Sequence, residues 1–433
     1  MPLRLNIFEI MIKVILKRGR EESLRRFHPW VFSGAIAEIQ GNPLEGDIVS
    51  VHASDGEFMA YGHYQIGSIA VRVLSFDESA LRADFWEEML ARALEVRIAC
   101  GLHPLQNGSA AGADDAMIAG EQECGFGGAP GVSTNCYRLV HGEGDNLPGL
   151  IIDYYDGVCV LQAHSVGMFR AKKQISDALR GVYGSELKAV YDKSSGTAPF
   201  KAGLDLIDGY LYRREDFHQN ELAVLENGQK FLVNWTEGQK TGFFLDQRDN
   251  RALVGSVARG RNVLNLFCYT GGFSIYALAN GAEHVDSVDS SRKAMMMVDR
   301  NVELNGFDPS RHTSLCCDAI DYLREVPVGK YDLMIVDPPA FAKHRGSLKN
   351  ALRAYQRLNA AAISKVAAGG FVFTYSCSQV VDKEAFALAV FSAAAQAGRR
   401  VRILDRLNQP CDHSVNIYHP EGEYLKGLLL YVE

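Results

Sequence analysis

Alternating apolar and polar positions dominate the first part of the chain, from residue 11 to residue 75. Three stretches share this pattern and are separated by turn residues: VILKRGREESLRRFHPWVFSGAI, GDIVSVHASDGEFMAYGHY and GSIAVRVLSF. Because successive side chains of a strand point to opposite faces, the pattern predicts the short strands of a small β-barrel. We assign a first domain to residues 11–78.

The middle of the chain mixes both periodicities. Residues 80–102 place apolar side chains at helical spacing, whereas the Gly/Ala-rich stretch at about 105–133 has no period and predicts a flexible insertion. Strand-like segments and the helical segment FRAKKQISDALRGVY follow, which predicts a central α+β domain over 79–222. The Asn-Gly pair in LAVLENGQKFLVNW predicts a hairpin.

From residue 260 onward, apolar strands alternate with helices. This rhythm predicts an α/β domain over 223–433, a Rossmann-like parallel sheet covered by helices on both faces. The segment KGLLLYVE is predicted to close the sheet as its last strand.

Composition narrows the class of protein. The 433 residues are 47% hydrophobic and 22% charged, which fits a globular chain of two or three domains. The net charge of −7 argues against a general nucleic-acid coat protein but leaves room for a local basic patch. No run approaches the roughly 20 apolar residues that cross a bilayer, so we predict no membrane partner. The apolar stretch at 3–16 carries charges and lacks a cleavage site, so we predict no signal peptide.

The nine cysteines form no CxxC pair, and their spacing fits neither a disulfide framework nor a zinc site. We therefore expect no metal and a reducing compartment, the cytoplasm.

A cationic and aromatic cluster lies near the start of the first domain. One interpretation is a solvated turn followed by core aromatics; the other is a surface for RNA. The residues that would contact RNA are Arg18, Arg20, Arg25, Arg26 and Trp30.

A glycine turn follows the first strand of the α/β domain. The strand runs into Asn265-Leu266-Phe267-Cys268-Tyr269-Thr270-Gly271-Gly272, and the next strand ends at Asp289. This succession of strand, glycine turn, helix and second strand with an acidic end is typical of nucleotide-binding sites. The acid accepts hydrogen bonds from the ribose hydroxyls. The turn lacks the GxGxxG cradle for a pyrophosphate, which favours S-adenosylmethionine, a nucleoside without phosphate. The alternative is that Gly271 and Gly272 only make a tight turn.

Asp318 follows the third strand. It is placed to bind the adenine amino group, or else to cap the helix that follows it.

Two further strand ends suggest covalent chemistry. Asp337-Pro338-Pro339-Ala340-Phe341 and Tyr375-Ser376-Cys377-Ser378 follow strands whose carboxyl ends open on one crevice. A thiolate that adds to carbon 6 of a cytosine makes carbon 5 nucleophilic, and Cys377 is the candidate, with Asp337 acting at N3. Pro338 stiffens the loop, and Phe341 is placed to stack on an extruded base. The alternatives are a small buried cysteine and a merely rigid loop.

At this point the chain resembles a known family. GQKTGFFLDQRDNR (238–251), LNLFCYTGGFSIYA, DSVDSS, DLMIVDPPAFAK and FVFTYSCS occur in the order seen in bacterial large-subunit ribosomal RNA cytosine-5 methyltransferases. RFHPWVFSGAI is similar to the opening of that family's PUA domain, and YRLVHGEGDNLPGLIIDYYDG to its central domain. The resemblance spans the chain except residues 1–10 and about 105–133.

The resemblance implies a class I methyltransferase domain that uses S-adenosyl-L-methionine, with Cys377 as the nucleophile. It implies that cofactor-binding residues include Lys240, Gln247, Arg248, Asn265, Phe267, Tyr269, Gly271, Asp289, Asp318 and Asp337. Pro339 stands where many RNA cytosine-5 enzymes carry a second cysteine that helps to release the product. Asp337, another base or water must then assist that step.

We therefore expect a cytosine-5 methyltransferase of ribosomal RNA, with a homodimer as a possible assembly. One alternative is a guanine-nitrogen methyltransferase, which needs no cysteine. Another is a non-catalytic RNA-binding assembly factor. A small-molecule methyltransferase would leave half of the chain without a purpose.

Overall fold

The computed structural model describes residues 11–103, 134–199, 202–342 and 344–433. The predicted insertion at about 105–133 and most of the apolar stretch at 3–16 lie outside these ranges. The described chain divides into two compact units. The first comprises the residues up to Glu221 together with Asn234–Gly242 and Cys411–Gly422, and the second comprises Leu222–Val233, Phe243–Pro410 and Glu423–Glu433.

The first unit opens with a six-stranded sheet in the order β2-β6-β5-β4-β1-β3. Its strands are β1 (Lys13–Leu16), β2 (Trp30–Phe32), β3 (Ile36–Gln40), β4 (Ile48–His52), β5 (Phe58–Tyr64) and β6 (Ile69–Ser75). Between β1 and β2 the chain makes a short helix, α1 (Glu22–Arg25), where only strands were predicted. The alternating apolar residues pack into one core that includes Val14, Val49 and Val71.

A five-stranded sheet in the order β11-β10-β9-β8-β7 follows, with two helices packed on it. The strands are β7 (Cys136–His141), β8 (Leu150–Tyr155), β9 (Val158–Ala163), β10 (Ala189–Asp192) and β11 (Gly209–Arg213), and the helices are α2 (Phe85–Ala99) and α3 (Val166–Tyr183). The helix predicted over 80–102 is thus confirmed.

The predicted hairpin is also confirmed. It pairs β12 (Glu221–Glu226) with β13 (Gln229–Asn234) through a two-residue turn. Asn227 and Gly228 have φ of +47° and +80°, the left-handed pair that such a turn requires.

The second unit contains a seven-stranded sheet in the order β16-β15-β14-β17-β18-β20-β19. The strands are β14 (Asn262–Leu266), β15 (His284–Asp289), β16 (His312–Cys316), β17 (Leu333–Val336), β18 (Gly370–Ser376), β19 (Val401–Leu407) and β20 (Lys426–Val432). The helices are α4 (Arg248–Ala258), α5 (Gly272–Ala279), α6 (Arg292–Leu304), α7 (Ala319–Glu325), α8 (Leu348–Lys365) and α9 (Lys383–Ala397).

β14 lies between β15 and β17 and is parallel to both, so the order in which the chain adds strands switches sides at β14. Such a switch point opens a crevice at the carboxyl ends of the strands, where α/β sheets bind ligands. The glycine turn after β14 and Asp337 after β17 therefore lie at this crevice.

The prediction of a wholly parallel sheet needs a correction. β14 to β18 are parallel, but β20 runs antiparallel between β18 and β19 instead of ending the sheet. β19 was not predicted because this edge strand is mostly exposed and charged, so its sequence lacks the apolar run of its neighbours. No helix in the part of the chain that the structure describes is long and apolar enough to cross a membrane.

Candidate active site

The residues between β14 and α5 form a turn with three left-handed backbone conformations. φ is +58° at Phe267, +48° at Tyr269 and +81° at Gly271. Non-glycine residues adopt this region at an energetic cost, and such conformations cluster at ligand sites. At Gly271 a Cβ atom would also lie 2.9 Å from Val298 Cγ1 of α6. The structure therefore requires glycine here both for its φ and for its close approach to α6.

Asp289 is the last residue of β15, as predicted, and it braces this turn. Its Oδ2 accepts a hydrogen bond from the backbone N–H of Tyr269 at 3.0 Å, and its Oδ1 accepts one from the N–H of Ser291 at 2.9 Å. A carboxylate oxygen accepts more than one hydrogen bond, so both oxygens keep a lone pair for a ligand hydroxyl.

Buried polar atoms without partners lie directly under the turn. Asn265 is 1% exposed, and its Nδ2 donates to Ser274 Oγ at 2.9 Å. Its Oδ1 has no hydrogen-bond partner in the described structure, and neither has Thr270 Oγ1. Buried polar atoms rarely stay unsatisfied, so this end of β14 suits a polar ligand.

Asp318 is exposed and caps α7. Its Oδ1 accepts hydrogen bonds from the backbone N–H groups of Ile320 and Asp321, at 2.8 and 3.0 Å. The structure therefore shows Asp318 as a helix cap, which was the alternative interpretation. Its contact with an adenine stays a prediction.

Arg248 is buried beside Glu226. Its Nε lies 3.8 Å from Oε2 of Glu226, which also accepts a 2.7 Å hydrogen bond from Arg251. Protein carboxylate thus already compensates the Arg248 charge, and its pairing with a cofactor carboxylate stays a prediction. Lys240 belongs to the first unit and has φ of +47°; its predicted role is likewise untested.

Taken together, the residues of the switch point fit S-adenosylmethionine. Asp289 supplies oxygen lone pairs for ribose hydroxyls, and Asn265 supplies a buried acceptor. No phosphate-binding glycine cradle is needed for such a nucleoside.

The loop after β17 carries the predicted acid. Asp337 is half-buried, and its Oδ2 accepts a 3.0 Å hydrogen bond from Gln247 Nε2. Pro338 is buried and Pro339 is exposed, so the surface-facing proline is not the one we predicted to contact substrate. Phe341 is half-buried, with its ring centroid 4.7 Å from that of Tyr355.

Cys377 follows β18 directly, and a tyrosine holds the serines on either side of it. Ser376 Oγ donates to Tyr355 Oη at 2.9 Å, and Tyr355 Oη lies 3.0 Å from Ser378 Oγ. Ser378 Oγ also accepts a hydrogen bond from the backbone N–H of Ala342, at 3.4 Å. This cluster joins the two loops that carry Asp337 and Cys377 and leaves the Cys377 side chain half-buried.

Cys268, the other cysteine near the crevice, is unsuited to nucleophilic attack. It is 6% exposed, and burial raises the pKa of its thiol. A thiol that resists ionisation is a poor nucleophile, which favours Cys377.

The predicted RNA-contacting arginines are all exposed. Arg18 and Arg20 precede α1, Arg25 donates a 2.5 Å hydrogen bond to Glu57, and Arg26 follows α1. Trp30 is only half-exposed, because its Nε1 donates to Glu143 at 2.9 Å.

Three other rings are more exposed than Trp30. Phe27, Phe32 and Tyr418 are 49%, 47% and 48% exposed, and Phe27 and Tyr418 have ring centroids 5.4 Å apart. His419, next to Tyr418, packs against Trp30 at 4.2 Å. We call Phe27, Phe32 and Tyr418 the aromatic surface. Sequence reasoning missed Tyr418 because it is almost 400 residues away from its neighbours in the chain.

Comparison with known proteins agrees with this geometry. The family model described as an S-adenosylmethionine-dependent methyltransferase matches residues 214–420, and a PUA-like domain model matches residues 14–76. The ribosomal RNA large subunit methyltransferase I of Aeromonas hydrophila is 38% identical over 96% of this chain and 98% of its own. The enzyme of the same name from Pseudoalteromonas translucida is also 38% identical, with the same coverage.

Solved structures share the fold. A SAM-dependent methyltransferase from Streptococcus mutans has a TM-score of 0.75 at 22% identity, over 98% of this chain and all of that one. A methyltransferase complexed with SAH has a TM-score of 0.76 at the same identity and coverage.

The full-length relatives, the two matching domains and the switch-point geometry lead to one conclusion. The chain belongs to the ribosomal RNA large subunit methyltransferase I family, and it is an S-adenosylmethionine-dependent enzyme with an N-terminal PUA-like domain.

Proposed function

We propose that this protein transfers a methyl group from S-adenosylmethionine to carbon 5 of a cytosine in large-subunit ribosomal RNA. The observation that carries the proposal is the position of Cys377. It is half-buried at the carboxyl end of β18, in a loop tied to the Asp337 loop through Ser378. The names of the full-length relatives support the RNA substrate.

The cofactor would lie across the carboxyl ends of β14 and β15. Asp289 accepts the ribose hydroxyls, Asp318 the adenine amino group, and the turn from Phe267 to Gly271 lines the nucleoside. Asn265 offers its buried amide oxygen, and Arg248, which also lies beside Glu226, is a cation for the carboxylate. When bound, S-adenosylmethionine supplies an electrophilic methyl group and leaves as the neutral thioether.

Cys377 would begin the reaction by covalent attack. Its thiolate forms a bond to carbon 6 of the cytosine, the C5=C6 π pair moves to carbon 5, and Asp337 donates a hydrogen bond or proton at N3. Carbon 5 then takes the methyl group. A base removes the proton from carbon 5, the electron pair restores the C5=C6 bond, and the thiolate is expelled as N3 returns its proton.

Pro339 and Gln247 shape the end of this sequence. Because Pro339 offers no thiol, water or another base takes the carbon 5 proton, and the proton that N3 returns goes to Asp337. Gln247 holds Asp337 in place. Phe341, whose ring packs against Tyr355 at a 50° tilt, stacks on the extruded base.

The rest of the chain would present the RNA. The PUA-like segment 11–78 contacts the RNA backbone through its exposed arginines and unpaired bases through the aromatic surface. The central segment 79–222 binds structured RNA, and the segment 223–433 carries out the methyl transfer. We place the reaction in the cytoplasm, and a homodimer stays a prediction.

A methyl-transfer assay on large-subunit RNA that lacks the modification tests the proposal, with nucleosides identified by mass spectrometry. Native protein should yield 5-methylcytosine, and Cys377→Ala should yield none. Cys316→Ala, which changes an exposed cysteine at the end of β16, is the matched control and should retain activity. A methylguanosine that persists in Cys377→Ala would favour the guanine-nitrogen alternative instead.

A further inference from the structure

A buried lysine lies beside the nucleophile loop. Lys426 is the first residue of β20, pairs across the sheet with Ser376 and is 5% exposed. Its Nζ donates to the backbone carbonyls of Ser378 at 2.7 Å and of Val381 at 2.6 Å. The ammonium group therefore holds together the turn that follows Cys377.

The charge of Lys426 has no direct counterion among the described residues, since both of its hydrogen bonds end on neutral carbonyls. Burying an ammonium without an ion pair costs free energy, so its presence at this position calls for an explanation. Burial lowers the pKa of Lys426 to about 8, and the positive charge of Lys383 adds to this effect. Negative charge at an ionised Cys377, at Asp382 and at Glu423 opposes it. Lys426 pairs with Ser376 and hydrogen-bonds Ser378, the two residues on either side of Cys377.

We propose that Lys426 is a positioning residue for Cys377: it fixes the turn 378–381 and supplies a buried positive charge that favours the thiolate over the thiol. This inference rests on the proposed function, because only a nucleophilic Cys377 needs its thiolate.

The physical argument is reciprocal. If a Cys377 thiolate stabilises the charged form of Lys426, the charged form of Lys426 must stabilise the thiolate by the same free energy. Lys426 is 5% exposed, so water screens its charge less than it screens a surface charge. Asp382 and Glu423 also favour the charged form of Lys426, and Glu423 is already paired with Lys383.

A purely structural role would be to anchor the turn through hydrogen bonds alone. Lys426→Gln separates the two roles, because a glutamine amide still donates hydrogen bonds but carries no charge. Lys426→Arg keeps the charge. Lys383→Gln removes a nearby cation from the surface and is the matched control.

The test is the pH dependence of Cys377 alkylation by iodoacetamide, followed on the Cys377 peptide by mass spectrometry. In Lys426→Gln the midpoint should rise by about one pH unit, the lower end of what an adjacent opposite charge produces. Lys426→Arg should stay near the native midpoint, and Lys383→Gln should not raise it. A Lys426→Gln profile that superimposes on the native one would overturn the proposal.

Activity gives a second readout. Methyl transfer by Lys426→Gln should be reduced at neutral pH and should recover toward the native rate as the pH rises, whereas loss of the anchor alone would lower the rate at every pH. Alkylation needs no methyl transfer. An active Cys377→Ala would therefore refute the proposed function, while an unshifted alkylation profile would refute only the role of Lys426.

If Lys426→Gln does not fold, the reciprocal measurement replaces it. The titration of Lys426 is followed by NMR with ¹³C-labelled lysine, in native protein and in Cys377→Ala. The pKa of Lys426 should be lower in Cys377→Ala, because the thiolate that stabilises the ammonium is gone. Equal values in the two proteins would contradict the proposal.

Discussion

Gln247 Nε2 donates a 3.0 Å hydrogen bond to Asp337 Oδ2, which ties the segment before α4 to the loop after β17. Asn250 Nδ2 in turn donates to Gln247 Oε1 at 2.6 Å, and this contact fixes the orientation of the Gln247 amide. Gln247 is 4% exposed, so little water competes for either bond. Gln247 therefore positions the Asp337 side chain, and Asn250 positions Gln247.

Replacement of Gln247 by leucine should release Asp337. An intramolecular hydrogen bond contributes about 0.5–1.5 kcal/mol, so we expect kcat for methyl transfer to fall by about three- to tenfold. Steady-state kinetics measure the change, and Gln396→Leu, at a glutamine on α9, is the control. If the variant keeps native kcat, the contact does not position Asp337.

Gly271→Ala should weaken both the fold and the cofactor site. A left-handed non-glycine residue costs about 1–2 kcal/mol, and the new Cβ would in addition meet Val298 Cγ1 at 2.9 Å. We expect a lower Tm and weaker binding of S-adenosylhomocysteine by calorimetry.

Gly306→Ala is the matched control for this change. Gly306 has φ of +69°, but nothing lies within 4 Å of the added Cβ. Gly306→Ala has the same backbone cost as Gly271→Ala but adds no close contact. Gly271→Ala should therefore lower Tm more than Gly306→Ala does, and only Gly271→Ala should reduce ligand affinity. Equal effects of the two variants would show that the approach to α6 is unimportant.

The aromatic surface should contribute to RNA affinity. Stacking of a base on an aromatic ring is worth about 1–3 kcal/mol, so Phe27→Ala or Tyr418→Ala should weaken binding of an RNA fragment by about five-fold or more. Fluorescence anisotropy at constant salt measures this, with Phe391→Ala, a more exposed ring on α9, as the control. Unchanged affinity in both variants would exclude stacking at this surface.

The stability of the first unit should depend on pH through His63. This side chain on β5 is 3% exposed, and burial lowers its pKa to about 4. The unfolded chain then binds the proton more readily, so the contribution is present above pH 6.5 and is lost as the pH falls toward 4.

His63→Gln should flatten this dependence. The full shift corresponds to about 3 kcal/mol, so native protein should lose more stability than the variant between pH 6.5 and 4. Urea unfolding at a series of pH values tests this, with His52→Gln on the adjacent strand β4 as the control. Parallel curves for native protein and His63→Gln would contradict the assignment.

Local patterns were enough to predict the residues at the ends of the parallel strands. Gly271, Asp289, Asp337 and Cys377 follow apolar runs, and parallel strands bring such positions to one edge of a sheet. The contacts that hold them could not be predicted in this way. Tyr355 lies on α8 and reaches Ser376 and Ser378 only after folding.

Lys426 shows the same limit more sharply. In the sequence it opens an apolar strand as an ordinary boundary lysine, and nothing local distinguishes it from a solvated charge. Its burial follows from the antiparallel insertion of β20 beside β18, a long-range pairing that the expected parallel order did not include.

The division of the chain into two units has a consequence for truncation and for sequence change. The backbone passes from one unit to the other after residues 221, 233, 242, 410 and 422. A chain cut at any one of these points would yield no pair of fragments that each hold one whole unit and nothing else. Substitutions in Asn234–Gly242 or Cys411–Gly422 are constrained by a unit other than the one that flanks them in the chain.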